Sequence, residues 1–349
     1  MIAIIDILGI QVVSETASMG LAISSMMVVS TLIGFGSFSM SETSKGMGSV
    51  QRIYEYIDDH NFEADFEKPE CPKENWPSEG VVSINNLVCR YRDNLPSVLK
   101  GVTFEVLKHE KVGIVGRTGS GKSTTILALA RIIEQQKDPQ TGENLGRIEI
   151  DGVDIHKIGL HVLRRAITII PQDPILLQGS LKFNIDPIGE FSDQEIILSL
   201  KKSQVWNTLN IIVPDGETED FAKLNMAIED GGSNFSQGQR QLVCISRALM
   251  KKSKILMMDE ATANIDHQTD GIIQNIIMQE FNESTIITIA HRLNTIIQYD
   301  KIVFMVEGKV AEVGSPVELL NRDSNFRALV RENGKDFEEE MINLATKKC

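Results

Sequence analysis

The sequence is short of cysteine, of aromatic side chains and of positive charge. Its 349 residues include 4 cysteines, 5% aromatic residues, and 35 Lys plus Arg against 48 Asp plus Glu, a net charge of −13. The cysteines lie far apart, with no Cys-x-x-Cys pair and no histidine at zinc spacing, so we expect reduced structural thiols of a cytosolic domain and exclude a disulfide scaffold. No run of Lys and Arg offsets the acidic balance, which predicts that the protein binds no nucleic acid.

Charge is absent altogether from one stretch near the N-terminus. Residues 16–41 contain no Asp, Glu, Lys, Arg or His, and as a helix they could cross a hydrocarbon layer of roughly 30 Å. Ser, Thr and Gly are frequent in this stretch, which suits a helix that packs against other helices or faces an aqueous cavity. No Lys or Arg precedes Asp6, which disfavours a signal peptide. The alternative is a buried helical hairpin of a soluble protein.

The rest of the chain divides into four segments that differ in composition and in hydrophobic periodicity. Residues 46–57 keep helical spacing, and residues 58–80 are acidic with three prolines, which predicts a linker. Short β-rich runs then alternate with helical stretches, which predicts an α/β domain with a largely parallel sheet over residues 81–334. Residues 335–349 are charged, and we expect a frayed tail. The predicted strands are 81–88, 102–106, 111–115, 147–150, 167–170, 255–258, 286–289 and 302–306.

A glycine-rich loop follows the third predicted strand. Residues 116–123 fit the pattern G-x-x-x-x-G-K-[S/T] between an apolar run and a helix, which is the context of a phosphate-binding loop. Its glycines let backbone N–H groups converge on phosphates, Lys122 offers a point charge, and Ser123 offers a hydroxyl to Mg²⁺. The predicted nucleotide-binding residues here are Gly116, Arg117, Thr118, Gly119, Ser120, Gly121, Lys122, Ser123 and Thr124.

Two carboxylates follow the apolar run 255–258. A buried parallel strand would place Asp259 at the carboxyl edge of the sheet, beside the glycine-rich loop. At that edge Asp259 can join the shell of a Mg²⁺ ion, and Glu260 can polarise an attacking water molecule. The alternative is an ordinary strand followed by an acid that caps the next helix.

The order of the remaining motifs resembles the ATP-binding domains of ABC transporters over roughly residues 81–330. Tyr91 resembles the aromatic residue that stacks on adenine in that family. The resemblance implies a P-loop NTPase fold with a RecA-like parallel-sheet core, an antiparallel β subdomain and a helical signature subdomain, together with the cofactors ATP and Mg²⁺. The other matching motifs are the signature at 234–242, the Q-loop at 170–173, the D-loop at 263–266 and the switch-histidine loop at 289–293.

The resemblance also implies a role for each matching residue. Lys122, Glu260 and His291 would be catalytic, and Ser123, Gln172 and Asp259 would hold Mg²⁺. Ser236, Gly238 and Gln239 would contact the ATP of a partner domain in a head-to-tail dimer. The family has glycine where Gln237 stands, so we expect slow hydrolysis at the partner site that this signature completes.

Three further segments, 75–80, 179–187 and 259–266, resemble the second ATP-binding domain of subfamily C, the multidrug-resistance-associated group. In that setting residues 1–57 resemble the last transmembrane helix and its cytosolic extension. The chain then resembles the C-terminal part of a full transporter, or a truncated product of one. The implied partners are a second ABC ATP-binding domain and further transmembrane helices, in a multi-pass membrane protein whose ATPase domain is cytosolic.

We therefore predict the ATP-hydrolysing domain of a membrane exporter, in which ATP-driven dimerisation is coupled to transport. A channel or regulatory protein on the same fold, in which ATP gates without pumping, is an alternative that residues 81–349 do not separate. A soluble ABC ATPase acting on ribosomes or in DNA repair is a third class. Two fused ATPase domains or a long coiled-coil insertion would indicate it, and the apolar stretch 16–41 argues against it.

Overall fold

The computed structural model describes residues 2–58, 63–68, 72, 75–92, 94–209, 218–259, 265, 267–290 and 292–346, with residues 2–16, 58, 267 and 268 described by their backbone alone. The chain divides into two compact units, Met1–Glu63 and Ala64–Cys349.

The first unit is the helix α1, Ile2–Asp58. Within the described residues, its part Ala17–Ile57 is the one helix long and apolar enough to cross a membrane, and an 18-residue window of it has a mean hydropathy of 1.8. The hydroxyls of Ser25, Thr31 and Thr43 each donate to the carbonyl four residues earlier in the helix. Because these hydroxyls are satisfied inside the helix, they carry no unpaired polar group into an apolar environment.

The second unit contains every strand that the sequence predicts. Their ends move by at most three residues, and the largest change extends the second strand back to Leu99. Four strands escaped prediction. The strands β5, β7 and β8 have two residues each and carry no periodicity, and β12, with six residues, was also not predicted. The strands are β1 Val82–Cys89, β2 Leu99–Val106, β3 Lys111–Gly116, β4 Arg147–Ile150, β5 Val153–Asp154, β6 Ile167–Ile170, β7 Gly179–Ser180, β8 Ala227–Ile228, β9 Ile255–Asp259, β10 Thr285–Ile289, β11 Lys301–Val306 and β12 Lys309–Gly314.

Helices fill the connections between these strands. A 3₁₀ turn at Asp230–Gly232 precedes the longest helix of this unit, α8. The helices are α2 Lys122–Leu129, α3 Leu160–Ala166, α4 Leu181–Ile185, α5 Asp193–Lys202, α6 Val205–Thr208, α7 Glu219–Leu224, α8 Gln237–Lys251, α9 His267–Glu280, α10 Leu293–Ile296, α11 Pro316–Asn321, α12 Asn325–Arg331 and α13 Lys335–Thr346.

The main sheet has the strand order β12-β11-β3-β10-β9-β6, and all of its pairs are parallel except β12 with β11. An antiparallel sheet with the order β2-β1-β4-β5 and a short β7-β8 pair complete the unit. The predicted α/β fold with a largely parallel core sheet is therefore confirmed. Parallel pairing brings the carboxyl ends of β3, β10, β9 and β6 to one edge, where ligands of open α/β sheets bind.

The apolar side chains form three buried clusters, one under the antiparallel sheet, one around α8 and one under the C-terminal helices. Two cysteines belong to these clusters. Burial raises the pKa of the Cys89 thiol to about 12 and also raises the pKa of Cys244, so both stay protonated at neutral pH. This agrees with structural rather than reactive thiols, while Cys71 and Cys349 lie outside the described residues.

The predicted linker, residues 58–80, is attached to the second unit in the part described from residue 64 onward. Lys68 Nζ donates to the His156 carbonyl at 2.6 Å, and Trp76 Nε1 donates to the Ile150 carbonyl at 3.0 Å. The Asp151 carboxylate accepts the backbone N–H groups of Ser78, Glu79 and Val81. Acidic and proline-rich composition predicted the lack of helix and strand, but it does not show which backbone groups the segment can reach.

The predicted frayed tail is, in its described part, the helix α13. Met341 is fully buried and Ala345 is 2% exposed, while Glu338 pairs with Arg327 and Arg331 of α12. The charged composition hid an apolar stripe at helical spacing, because the charges lie on the other positions of the same turns. The expectation of fraying is therefore wrong for residues 335–346.

Candidate nucleotide-binding site

The glycine-rich loop joins β3 to α2 in a space too tight for side chains at two positions. A Cβ on Gly116 would lie 2.3 Å from the Met305 carbonyl oxygen, and one on Gly121 would lie 2.7 Å from Leu99 Cδ2. Gly121 also takes φ +99° and precedes α2 without a side-chain cap. The N–H groups of the first helical turn therefore lack a capping side chain and form an anion-binding end.

The Lys122 ammonium lies inside this loop. The residue is only 6% exposed, and its Nζ donates to the carbonyls of Gly116 at 2.9 Å and Arg117 at 3.2 Å. These two bonds hold the positive charge of Lys122 inside the curve of the glycine-rich loop. A phosphate group bound at that centre would meet a cation that is already in place.

Asp259, at the carboxyl end of β9, lies beside the glycine-rich loop. Ser123 Oγ donates to Asp259 Oδ1 at 3.4 Å, although β10 lies between β3 and β9 in the sheet. Both side chains offer oxygen atoms, the ligand type that Mg²⁺ prefers together with nucleotide phosphates. Among the described residues, no group of three or more His, Cys, Asp and Glu side chains could hold a metal ion by itself. One carboxylate beside a hydroxyl fits a cation that the nucleotide itself helps to bind.

Gln172, Glu260 and His291 were also predicted for this edge. Gln172 is exposed and follows the end of β6 by two residues, on the carboxyl side of the sheet. Glu260 follows Asp259 directly and His291 follows the last residue of β10 by two, but both lie outside the described residues. In the predicted D-loop only Ile265 is described, and it is 6% exposed.

Tyr91 is linked to the start of α2. Its hydroxyl lies 3.1 Å from the Thr124 hydroxyl, and Thr124 is 4% exposed while Tyr91 is 53% exposed. The ring therefore lies next to the glycine-rich loop and still has surface for a planar ligand to cover.

The other loop residues differ in their surroundings. Arg117 points its Nη2 at Glu332 Oε1, 2.9 Å away, and its side chain is 81% exposed. Thr118 and Gly119 are exposed. Ser120 is 5% exposed, and among the described residues its Oγ has no hydrogen-bond partner.

The signature residues form a separate group at the start of α8. Ser236 Oγ accepts the Gln239 N–H at 3.2 Å, and Gln239 Oε1 accepts the Ser236 N–H at 2.9 Å, a reciprocal cap of the helix. A Cβ on Gly238 would lie 2.8 Å from Thr269 Cγ2, so glycine is needed for the packing of α8 against α9. Gly238 therefore has a packing role that the motif alone does not reveal.

Sequence reasoning missed the side chains that hold the predicted Q-loop segment against α8. These are Gln241, Arg247 and Asn184, which bind backbone carbonyls on both sides of Gln172. No spacing rule identifies such contacts, because the backbone carbonyls that Gln241 and Arg247 reach lie more than 60 residues away in the chain.

A phosphate-binding loop after a parallel strand, an acidic strand end beside it and a separate capped helix define a P-loop nucleotide-binding domain with a helical subdomain. The family described as ABC transporter matches residues 99–263. Residues 99–263 of the second unit therefore form an ATP-binding domain of the ABC transporter family.

Similar relatives include a protein named as an efflux transporter and a member of ATP-binding cassette sub-family C. The chain is 44% identical over 318 residues to the pleiotropic ABC efflux transporter of multiple drugs YBT1 of Candida glabrata, covering 88% of this chain and 19% of that protein. It is 44% identical over 299 residues to ATP-binding cassette sub-family C member 2 of Rattus norvegicus, covering 84% of this chain and 18% of that protein. The subfamily C resemblance is thus confirmed, and the chain spans about a fifth of the length of these relatives.

A solved structure agrees with this assignment. A bacterial Atm1-family ABC exporter with ATP bound is 30% identical and superimposes with a TM-score of 0.70, over 83% of this chain and 48% of that chain. The exporter-type ATP-binding domain is therefore supported by sequence and by fold together.

Proposed function

We propose that the chain supplies one ATP-hydrolysing domain of a membrane exporter. The observation that carries this proposal is the meeting of Lys122, Ser123 and Asp259 at the carboxyl edge of the parallel sheet. A buried ammonium, a hydroxyl and a carboxylate on rigid elements provide the charge pattern that phosphoryl transfer requires.

Each residue of the edge has a part in this function. Lys122 binds the β- and γ-phosphates, Tyr91 stacks on adenine, and Ser123, Gln172 and Asp259 hold Mg²⁺. A Mg²⁺ ion held by these residues would supply positive charge to neutralise the phosphates. Glu260 accepts a proton from the attacking water, and His291 holds that water and the γ-phosphate in register.

A second ABC ATP-binding domain completes the site. Ser236 and Gly238 stand at the N-terminus of the 15-residue helix α8, whose first N–H groups favour negative charge. They would contact the γ-phosphate held by the partner domain, while the partner's signature contacts the ATP held by Lys122. ATP binding closes the two domains and hydrolysis reopens them.

The membrane assignment rests on α1. Its Ala17–Ile57 part has the length and hydropathy of a spanning segment, and relatives that match most of the chain are named as transporters. Lys45 and Arg52 follow the uncharged stretch, which favours a cytosolic location for the C-terminal side. The ATP-binding unit would then lie in the cytosol of a multi-pass protein.

The experiment measures Mg²⁺-dependent ATP turnover and ATP binding of the assembly that the full chain forms in membranes. Glu260→Gln keeps the shape of the side chain but removes the base, so turnover should fall by about 10²–10⁴-fold while ATP still binds. Lys122→Ala removes the cation and should abolish binding at low micromolar ATP.

Two outcomes would contradict the proposal. If Glu260→Gln keeps more than about a tenth of the ATP turnover of the unsubstituted protein, Glu260 is not the base. Unchanged ATP affinity in Lys122→Ala would exclude the loop as the phosphate site. Turnover without movement of any compound across a vesicle membrane would instead favour the channel or regulatory alternative.

A further inference from the structure

Arg247 joins the helix α8 to the chain segment that follows Gln172. Its Nε donates to the Asn184 carbonyl at 2.5 Å, and its Nη1 donates to the Ile175 carbonyl at 2.9 Å. Its Nη2 donates to Asn184 Oδ1 at 3.0 Å. The planar guanidinium is thus used in three directions at once, which a single ammonium group cannot reproduce.

Asn184 in turn folds this segment onto itself. Its Nδ2 donates to the Leu177 carbonyl at 2.8 Å and to the Ser180 carbonyl at 3.1 Å, and its Oδ1 accepts the Leu177 N–H at 2.9 Å. The residue is 2% exposed. Because every polar atom of this buried amide is paired, the residues from 175 to 184 hold one shape.

The other end of the segment is attached as well. Gln241 is fully buried on α8, and its Nε2 lies 3.4 Å from the carbonyl of Pro171, the residue before Gln172. Helix α8 therefore holds the chain on both sides of Gln172, at Pro171 and at Ile175. The segment cannot move far from α8 without breaking these hydrogen bonds.

The loop that precedes α8 contacts the same segment. Strand β7 pairs with β8, and a Cβ on Gly232 would lie 2.9 Å from Leu176 Cδ1. Residues 171–185 and 226–251 therefore pack as one body that contains both Gln172 and Ser236.

We propose that Arg247 is a positioning residue that makes Gln172 and the signature residues move together. This rests on the proposed function, in which Gln172 helps to hold the Mg²⁺ of the nucleotide on this chain's own loop and Ser236 contacts the partner's nucleotide. ATP bound at Lys122 then shifts the signature at the start of α8 through Gln172, the segment 171–184 and Arg247. The two nucleotide sites of the assembled protein are linked through this side chain.

The test follows backbone hydrogen exchange in the full chain, with and without Mg²⁺ and ATP. In the unsubstituted protein, ATP should slow exchange in residues 171–184 and in residues 229–240, each by roughly fivefold or more, the lower end of coupling between linked sites. In Arg247→Met, ATP should still slow exchange in 171–184, but the response in 229–240 should be lost. Arg247→Lys keeps the positive charge and serves as a second variant in case Arg247→Met does not fold. It should lose most of the ATP-dependent slowing of exchange in residues 229–240.

Arg327→Met is the matched control, because Arg327 holds α12 to α13 by a pair with Glu338, away from the hydrogen bonds between α8 and residues 171–184. It should keep both responses. An unchanged response of 229–240 in both Arg247 variants would overturn the proposal. The proposal would also be overturned if ATP binds to the unsubstituted protein but does not slow hydrogen exchange in residues 229–240. If ATP does not bind at all, the proposed function itself is contradicted.

Discussion

Tyr91 illustrates how a single side chain combines a ring surface with a polar anchor. Its hydroxyl is tied to the buried Thr124 hydroxyl of α2, while half of the residue remains exposed. The anchor limits rotation of the ring, so less conformational entropy is lost when adenine binds.

Replacement of Tyr91 separates these two contributions. Tyr91→Ala should weaken ATP binding by about 1–3 kcal/mol, the scale of base–aromatic stacking. Tyr91→Phe keeps the ring and loses only the bond to Thr124, so its loss should stay near the 0.5–1.5 kcal/mol typical of one hydrogen bond. Titration with a fluorescent ATP analogue measures both. Equal losses in the two variants would show that the ring face does not bind the base.

At the scale of elements, residues 64–68 cover the beginning of α3. The carbonyls of Asp65 and Phe66 accept the N–H groups of Leu160 at 3.3 Å and His161 at 3.1 Å, the first two residues of that helix. Gly159, the residue before the helix, has no side chain to cap it. The preceding segment therefore does the capping, and this is why it belongs to the ATP-binding unit.

A glycine substitution tests this contact. Gly159 has φ −68°, which alanine adopts freely, but its Cβ would lie 2.6 Å from the Phe66 carbonyl oxygen. Gly159→Ala should lower the free energy of unfolding by about 1–3 kcal/mol, the cost of overpacking. It should also expose residues 64–68 to proteases.

Gly271→Ala on α9 is the control for this prediction. No atom lies within 4 Å of the Cβ it would add, so it should leave stability equal or raise it by up to about 1 kcal/mol through helix propensity. Chemical denaturation measures both variants. If Gly159→Ala is as stable as the control and as resistant to proteolysis, residues 64–68 do not cap α3.

At the scale of the whole molecule, the chain carries one phosphate-binding loop and one signature in the unit Ala64–Cys349. The two groups are built on different elements, the β3–α2 junction and the start of α8. Under the proposed function each γ-phosphate lies between a loop from one domain and a signature from another. A single domain then has only half of each site.

Residues 64–349 purified without α1 should therefore be monomeric at micromolar concentration and should hydrolyse ATP slowly. Loss of one set of transition-state contacts typically costs about 10²–10³ in rate. The specific activity should rise with protein concentration, because two copies must meet. A high specific activity that does not change on dilution would contradict this prediction. Light scattering on the same samples gives the oligomeric state.

The sequence by itself determined the nucleotide-binding loop, the order of eight strands along the chain and the helical character of residues 16–41 and 46–57. These features depend on local periods and on residue types at short spacing, which are visible without any fold. The parallel sheet could be predicted for the same reason, and Asp259 was assigned to its carboxyl edge because every strand of a parallel sheet ends there.

Only the tertiary structure decided which distant groups meet. Three examples join residues far apart in the chain. Strand β10 lies between β3 and β9, residues 64–68 cap α3, and Gly238 packs against Thr269. Arg247 is the clearest case, since its partners include two backbone carbonyls and the side-chain amide of Asn184. Backbone carbonyls are identical at every position of the sequence, so the arrangement in space alone selects the ones that a guanidinium can reach.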